Sequence, residues 1–224
     1  MPNPVVKTRS SKGASHKHAA PFSRRLVVMV KEPHAGRVKT RLGSQIGVVA
    51  ATSFYRHAAL AVIRRVAASP RWQTWLSVAP DATCASRFWP RHVPRRAQGG
   101  GDLGHRMQRI FDWPGRGPVI IIGTDIPAIT PRHIADAFAK LGRSDAVLGA
   151  TPDGGYWLVG LRRFPRPLSP FSDVRWSSAH TLDDTLVNLA SHTVLRAEIL
   201  GDVDGAEDWH AVRAWSGRLV LPLG

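Results

Sequence analysis

The chain has 224 residues, 43% of them hydrophobic, with 31 Lys and Arg against 16 Asp and Glu for a formal net charge of +15. That length and apolar content fit one domain with a real core and exclude global disorder. No apolar run reaches the roughly 18 residues of a membrane span, and a single cysteine, Cys84, excludes an internal disulfide framework and a multi-cysteine zinc site.

The charge points first to nucleic acid. Its distribution argues otherwise. Residues 1–25 hold six basic residues and no acid, and without them the chain carries +9. Of the 31 basic residues 25 are Arg, scattered as singles and pairs rather than stripes. Residues 1–24 read as a basic, disordered tail with no secretory core, and residues 25–224 as one domain. A lone cysteine fits a cytoplasmic protein.

Leu26–Val30 is a continuous apolar run, the pattern of a strand buried on both faces. A polar stretch from Lys31 to Leu42 follows. Ser44 to Ala67 contains no proline and repeats apolar residues at helical spacing (Ile46, Val49, Ala50, Phe54, Ala58, Ala61, Val62), which predicts one long helix. Gln73–Val78 alternates as a strand does. Asp102 is placed to cap a helix ending near Trp113. The run from Pro118 to Gly123 predicts a second buried strand. Thr130 caps and Pro131 opens a helix that stops near Gly142. Ala146–Ala150 and Tyr156–Leu161 predict two strands joined by a hairpin turn at Asp153-Gly154-Gly155. A helix over Ser177–Ser191, a strand over Val194–Leu200 and a short helix over Gly205–Trp215 complete the chain.

Strands alternating with helices predict a three-layer α/β/α sandwich, Rossmann-like, with a mostly parallel central sheet. Ligands of such sheets sit beyond the carboxyl ends of the strands. Three loops there carry distinctive residues. The first, after Val30, holds Lys31, Gly36, Arg37, Lys39 and Arg41. Its glycine lets backbone N–H groups approach phosphate oxygens while the cations neutralise them. It is neither a Walker loop nor a dinucleotide fingerprint. The second, Gly123-Thr124-Asp125-Ile126-Pro127, sets a carboxylate at a strand end, where a divalent cation is a natural partner and a cap or turn role is the alternative. The third, Asp202-Val203-Asp204, opens a run of five acids within residues 198–208. Asp202 and Asp204 either complete a metal site or cap the final helix.

Two further segments are weaker signals. Gln98-Gly99-Gly100-Gly101-Asp102 is a flexible approach to a helix. Asp153, Gly154, Gly155 and Tyr156 form a hairpin turn able to touch a substrate. The histidines form no metal-binding motif, and no G-x-S-x-G elbow is present.

In order, K-x-P-x-x-G-x-V-K-T-R-L, Q-x-G-G-D-L-G-x-R-M, G-T-D-x-P, D-G-G-Y-W-L, a late W-S and D-V-D-x-x-E-D-W resemble the radical-SAM/selenodomain-associated bacterial transferases. Some members of that family are called arsenosugar-biosynthesis glycosyltransferases. They form a branch of the GT-A nucleotide-diphospho-sugar transferase superfamily. The resemblance spans about residues 25–210 and implies a GT-A fold that binds a nucleotide and Mg²⁺ or Mn²⁺. It implies phosphate contacts from Gly36, Lys39 and Arg41, base or ribose contacts from Gln98, Gly101 and Asp102, and sugar or acceptor contacts from Asp153, Gly154 and Tyr156. Asp125 becomes the principal metal ligand, with Asp202 or Asp204 as the second. The chain departs at Asp204-Gly205-Ala206-Glu207, where the superfamily often has Asp-Thr-Pro-Glu.

The expectation is a metal-dependent transferase using a nucleotide-activated donor, foremost a glycosyltransferase acting on a small-molecule acceptor. Lys39, Asp125 and Asp153 are its candidate catalytic residues. One alternative is nucleotidyl transfer from an NTP to a phosphorylated acceptor, since the first loop also resembles that of phospholactate guanylyltransferases. Another, of a different class, is a non-catalytic polyanion-binding module driven by the +15.

Overall fold

A computed structural model describes residues 23–163, 167–203 and 205–210. Seven strands form one sheet in the order β3-β2-β1-β4-β6-β5-β7. They are β1 (Arg25–Lys31), β2 (Gln73–Ala79), β3 (Arg95–Ala97), β4 (Val119–Ile122), β5 (Ala146–Ala150), β6 (Tyr156–Leu161) and β7 (Val194–Arg196). All run parallel except β6, which pairs antiparallel with β4 and β5. The expected α/β sandwich with a mostly parallel sheet is therefore observed.

The helices are α1 (Thr40–Ile46), α2 (Val48–Ala67), α3 (Leu103–Phe111), α4 (Pro131–Leu141) and α5 (Thr181–Val187). Alternation along β1 divides the core. Leu26, Val28 and Val30 meet Val62, Ile63 and Val66 of α2 and Phe138 and Leu141 of α4. Val27, on the other face, meets Met107, Ile110 and Phe111 of α3. Successive strand side chains point to opposite faces, so a run apolar at every position is what a strand covered on both sides requires. All four residues of β4 are buried for the same reason.

The segment predicted as one helix is two. Gly47 sits between α1 and α2 at φ +90°, a conformation glycine reaches without a Cβ clash. The break resets the helical phase. Val49, assigned to the buried stripe, is 81% exposed, and the buried face of α2 is Ala51, Thr52, Tyr55, Ala58, Ala59, Val62, Ile63 and Val66. Strand β3 was not anticipated, because Arg-Arg-Ala carries no apolar alternation. Helix α5 is shorter than predicted, since Ser177 takes a left-handed φ of +56° and the chain turns through Ser178 before the helix begins. Strand β7 ends at Arg196, yet Ala197 N–H and Leu200 N–H still donate to Leu148 and Ala150 carbonyls. The caps of α3 and α4 match expectation. Asp102 accepts from His105 N–H at 2.9 Å, and Thr130 forms a capping box with His133 ahead of Pro131. Residues 206–210 are helical, while residues 211–215 of the predicted last helix and residues 1–22 of the predicted tail lie outside the described residues.

Among the described residues no helix is long and apolar enough to cross a membrane.

Candidate functional site

Strand order turns back at β1, whose neighbours β2 and β4 lead the chain in opposite directions across the sheet. A crevice opens at such a switch point, beyond the carboxyl ends of the strands. Here it is a cleft of about 960 Å³, large enough for a nucleotide-sized ligand. Its rim carries Lys31 at the end of β1 and Arg37, Lys39 and Arg41 after it, Thr124 and Asp125 after β4, Gln98 after β3, Asp153 from the β5–β6 turn and Tyr156 at the start of β6. Because β6 is antiparallel, its first residue and the turn before it reach the same edge of the sheet.

The first loop is built around Lys39. This residue precedes α1 with φ +45° and ψ +50°, the left-handed region that a side chain occupies at a cost. Its side chain is only 7% exposed, and its ammonium lies 3.4 Å from Asp125 Oδ1. Asp125 is 52% exposed on its own side. A buried ammonium is tolerated when paired. The ion pair therefore ties the cationic loop after β1 to the carboxylate after β4, across the switch point.

Tyr55, which sequence reasoning passed over, holds the base of this loop. Its hydroxyl accepts from Lys31 N–H and donates to Lys31 C=O, each at 3.0 Å. Burial pushes the Tyr55 hydroxyl up to about 12, with Lys31 and Thr124 contacts opposing and the charges of Asp125 and Glu32 adding to the rise. A signal for it existed: a tyrosine inside an otherwise aliphatic helical stripe has to direct its hydroxyl at something polar.

Gln98 is buried, and its amide nitrogen donates to Val30 C=O at 3.1 Å and Ser77 C=O at 2.9 Å. These bonds fix the side chain against the ends of β1 and β2 and leave its oxygen as its remaining polar atom. The Arg109 guanidinium holds the following loop through the Gln98 and Gly100 carbonyls, and Arg106 Nε donates to Gly101 C=O at 2.9 Å. Gly101 and Asp102 lie outside the cleft lining. Asp102 is engaged by His105 through both its backbone N–H and its ring Nδ1, contacts that lower the carboxyl below its ordinary value.

At the β5–β6 turn, Asp153 Oδ1 accepts from Thr151 Oγ1 at 2.5 Å and from Gly155 N–H at 3.0 Å. Two donors on one oxygen fix the carboxylate's direction. Gly154 has φ +84°, and a Cβ there would lie 2.2 Å from the Ala179 carbonyl oxygen. Its own carbonyl accepts from Leu182 N–H, seating the turn on the start of α5. Tyr156 is raised above its ordinary value by burial. Leu103 and Met107 of α3, Trp157, and Ser177 to Ala179 also line the cleft. Trp157, the second residue of β6, belongs to the D-G-G-Y-W-L segment noted in the sequence, whereas the cleft-facing aspect of Leu103, Met107 and the Ser177–Ala179 turn depends on the folded chain.

Gly36 borders a smaller groove of about 230 Å³ beside the first loop rather than the main cleft. Gly154, Gly155 and Asp202 shape the surroundings without lining it. The segment bearing Asp202 is nevertheless fastened to Asp125, since Val203 N–H donates to Asp125 C=O at 3.3 Å. Asp204 lies outside the described residues. Farther on, Asp208 accepts from Gly205 N–H and Gln45 Oε1 accepts from Ala206 N–H, so Asp208 serves as a local cap.

Asp125 offers hard carboxylate oxygens, the chemistry Mg²⁺ and Mn²⁺ prefer. No group of three or more His, Cys, Asp or Glu side chains gathers among the described residues. Such an ion would accordingly complete its shell with substrate phosphate and water, which is how Mg²⁺ is usually held at phosphate sites. The residues present fit a divalent cation on those terms.

A family model described as "uncharacterized protein conserved in bacteria (DUF2064)" matches residues 62–178. The chain is similar to the crystal structure of a candidate nucleotide-diphospho-sugar transferase from Desulfovibrio desulfuricans G20, with 30% identity, 88% of each chain covered and a TM-score of 0.78. More distant likenesses show the fold alone. One is a CMP:2-keto-3-deoxy-manno-octonic acid synthetase in complex with CTP (11% identity, 88% and 100% covered, TM-score 0.57). Another is the inositol-1-phosphate CTP transferase of T. maritima (11%, 84% and 92%, TM-score 0.55). No curated protein sequence matches the chain.

Proposed function

The chain belongs to the DUF2064 family, and on that premise we propose that it is a metal-dependent transferase acting on a nucleotide-activated donor. The observation that carries this reading is the Lys39–Asp125 pair spanning the switch-point cleft, with Lys31, Arg37 and Arg41 on the same rim. Four cations facing one carboxylate suit a diphosphate and its metal. The likeness to the D. desulfuricans protein supports the same class of donor.

Asp125 and the Asp202 segment pinned beside it are the residues that would hold Mg²⁺ or Mn²⁺. When bound, such an ion supplies electrostatic stabilisation of charge on the phosphates. Lys39 and Arg41 contribute to the same stabilisation from the opposite rim, as preorganised cations in a partly enclosed site. Tyr55 positions Lys31 and the loop base through the two hydrogen bonds to the backbone of Lys31. Asp153, its direction fixed by Thr151 and Gly155, orients the acceptor hydroxyl and takes its proton at the carboxylate oxygen. The foremost version is glycosyl transfer from an NDP-sugar, with the nucleoside diphosphate as leaving group. The Ser177–Ala179 turn, Tyr156 and Trp157 offer the hydroxyl and aromatic surfaces a sugar uses.

A second version, nucleotidyl transfer from an NTP to a phosphorylated acceptor, is favoured by the number of cations on the first loop, since a triphosphate carries more charge than a diphosphate. Incubating the purified protein with Mg²⁺ and a panel of NDP-sugars and NTPs separates the two. Thermal stabilisation and turnover with NDP-sugars support the first. Response to NTPs alone replaces it with the second, and response to neither removes both.

A further inference from the structure

A second concentration of positive charge lies at the other end of the sheet. Arg25 opens β1, Trp75 lies in β2 beside Val27, Arg96 lies in β3 beside Ser77, and Arg163 follows β6. The register puts Arg25, Trp75 and Arg96 on one face, the face covered farther along by α3. Trp113 packs edge-on against Trp75, with ring centroids 5.9 Å apart. The Arg96 guanidinium lies over both rings, at 5.4 Å and 4.9 Å, and that of Arg25 lies over Trp75 at 5.9 Å.

Two of the three arginines are already fixed. Arg25 Nη2 donates to Pro114 C=O at 3.2 Å. Arg163 Nη2 donates to Trp113 C=O at 2.6 Å and Gly115 C=O at 2.8 Å. Their Nε atoms are buried without a hydrogen-bond partner. Burial and mutual repulsion, Arg96 on Arg25 and Arg25 on Arg163, lower both guanidinium values, with the Asp112 charge opposing for Arg163. Among the described residues no ion pair joins a carboxylate to Arg25, Arg96 or Arg163. Outside them the sequence holds one acidic side chain, Asp204, directly after the segment fastened to Asp125. Cation–π contacts with Trp75 and Trp113 hold Arg96 and Arg25 in place but do not cancel their charge. Arg25 and Arg163 hold carbonyls of the 113–115 segment, and exposed Arg96 stacks over the same Trp75 ring as Arg25, so three positive charges gather on one patch able to attract an anion.

We propose that Arg25, Arg96 and Arg163 form a basal oxyanion site that takes a phosphate group, separate from the nucleotide cleft. The group comes either from inorganic phosphate or from a phosphomonoester, and the arms of the test distinguish them. Full-length protein is titrated with inorganic phosphate, with ribose 5-phosphate, and with sodium chloride at matched ionic strength, following the unfolding midpoint and tryptophan fluorescence. At about 100-fold excess over Kd the midpoint rises by roughly 5–10 °C, and fluorescence changes because Trp75 and Trp113 form the floor. The Arg96→Gln variant, altered at an exposed edge position, loses more than half of both responses. The double variant Lys39→Met/Arg41→Gln, which removes cleft cations, keeps them. The stronger of the two phosphate responses identifies the source. An equal response to chloride, an unchanged response in Arg96→Gln, or its loss in the cleft variant overturns the site.

Discussion

Replacing Lys39 by Met leaves an unbranched side chain one heavy atom shorter and removes its charge. The Lys39 ammonium neutralises Asp125 from 3.4 Å. The Coulomb attraction at that distance is about 1 kcal/mol in bulk water and about 5 kcal/mol at an effective dielectric of 20. Asp125 is half exposed, so solvent holds the figure near the lower end, about 1–2 kcal/mol. A divalent cation arriving at Asp125 has to displace that interaction. The Lys39→Met protein is accordingly expected to bind Mn²⁺ alone about 5- to 30-fold more tightly than the parent. It binds nucleotide in the presence of Mn²⁺ more weakly, because the same ammonium is no longer available to the phosphates. Free Mn²⁺ followed by electron paramagnetic resonance reads the first effect, and calorimetry with a nucleoside diphosphate reads the second. Circular dichroism confirms that the left-handed turn before α1 still folds. Unchanged Mn²⁺ affinity together with unchanged nucleotide affinity would refute the placing of Lys39 and Asp125 in one site.

Tyr55→Phe leaves the N–H and C=O of Lys31 without their hydroxyl partner, which costs about 1–3 kcal/mol and roughly 2–12 °C in Tm; an unaltered midpoint would contradict the bracing role. The Tyr55 value of about 12 lies above the ordinary 10. Its contribution to stability is thus full below pH 10 and lost as pH rises from 10 toward 12, and denaturant titrations of Tyr55→Phe should lack that portion of the alkaline loss. Asp184 is held down at about 2 by hydrogen bonds from Arg175. Its contribution is present above the ordinary value near 4 and lost as pH falls toward 2, so Asp184→Asn should flatten the acid limb, and an identical limb would reject the pairing. Gly154→Ala places a Cβ 2.2 Å from Ala179 C=O at φ +84°, and it should lower Tm and weaken acceptor-dependent turnover together; a variant with parental Tm and turnover would show that the turn has room to shift.

The parts of the fold legible in the sequence were those with an unambiguous local pattern. Val119–Ile122 and Leu26–Val30 could only be strands covered on both faces, and Thr130-Pro131 could only open a helix. The break at Gly47 was hidden because apolar spacing continues on both sides of it, and a single glycine does not announce its φ. The cationic loop and Asp125 were visible as a candidate site because strand ends can be located from sequence. That Lys39 would bury its side chain against Asp125 depends on the adjacency of β1 and β4, which no local pattern encodes. The place of Tyr55 in an aliphatic stripe calls for a polar partner, but which one is not encoded locally, as Lys31 lies 24 residues away. The basal arginines looked compositional one by one, and only the sheet register gathers them.

The central claim is that Asp125 anchors a metal-assisted nucleotide site at the head of β1 and β4. Isothermal titration calorimetry of the parent protein and Asp125→Asn with a nucleoside diphosphate, with and without Mg²⁺, tests it most directly. The account predicts Mg²⁺-dependent binding by the parent and its loss in the variant. Full Mg²⁺-dependent binding by Asp125→Asn would contradict it.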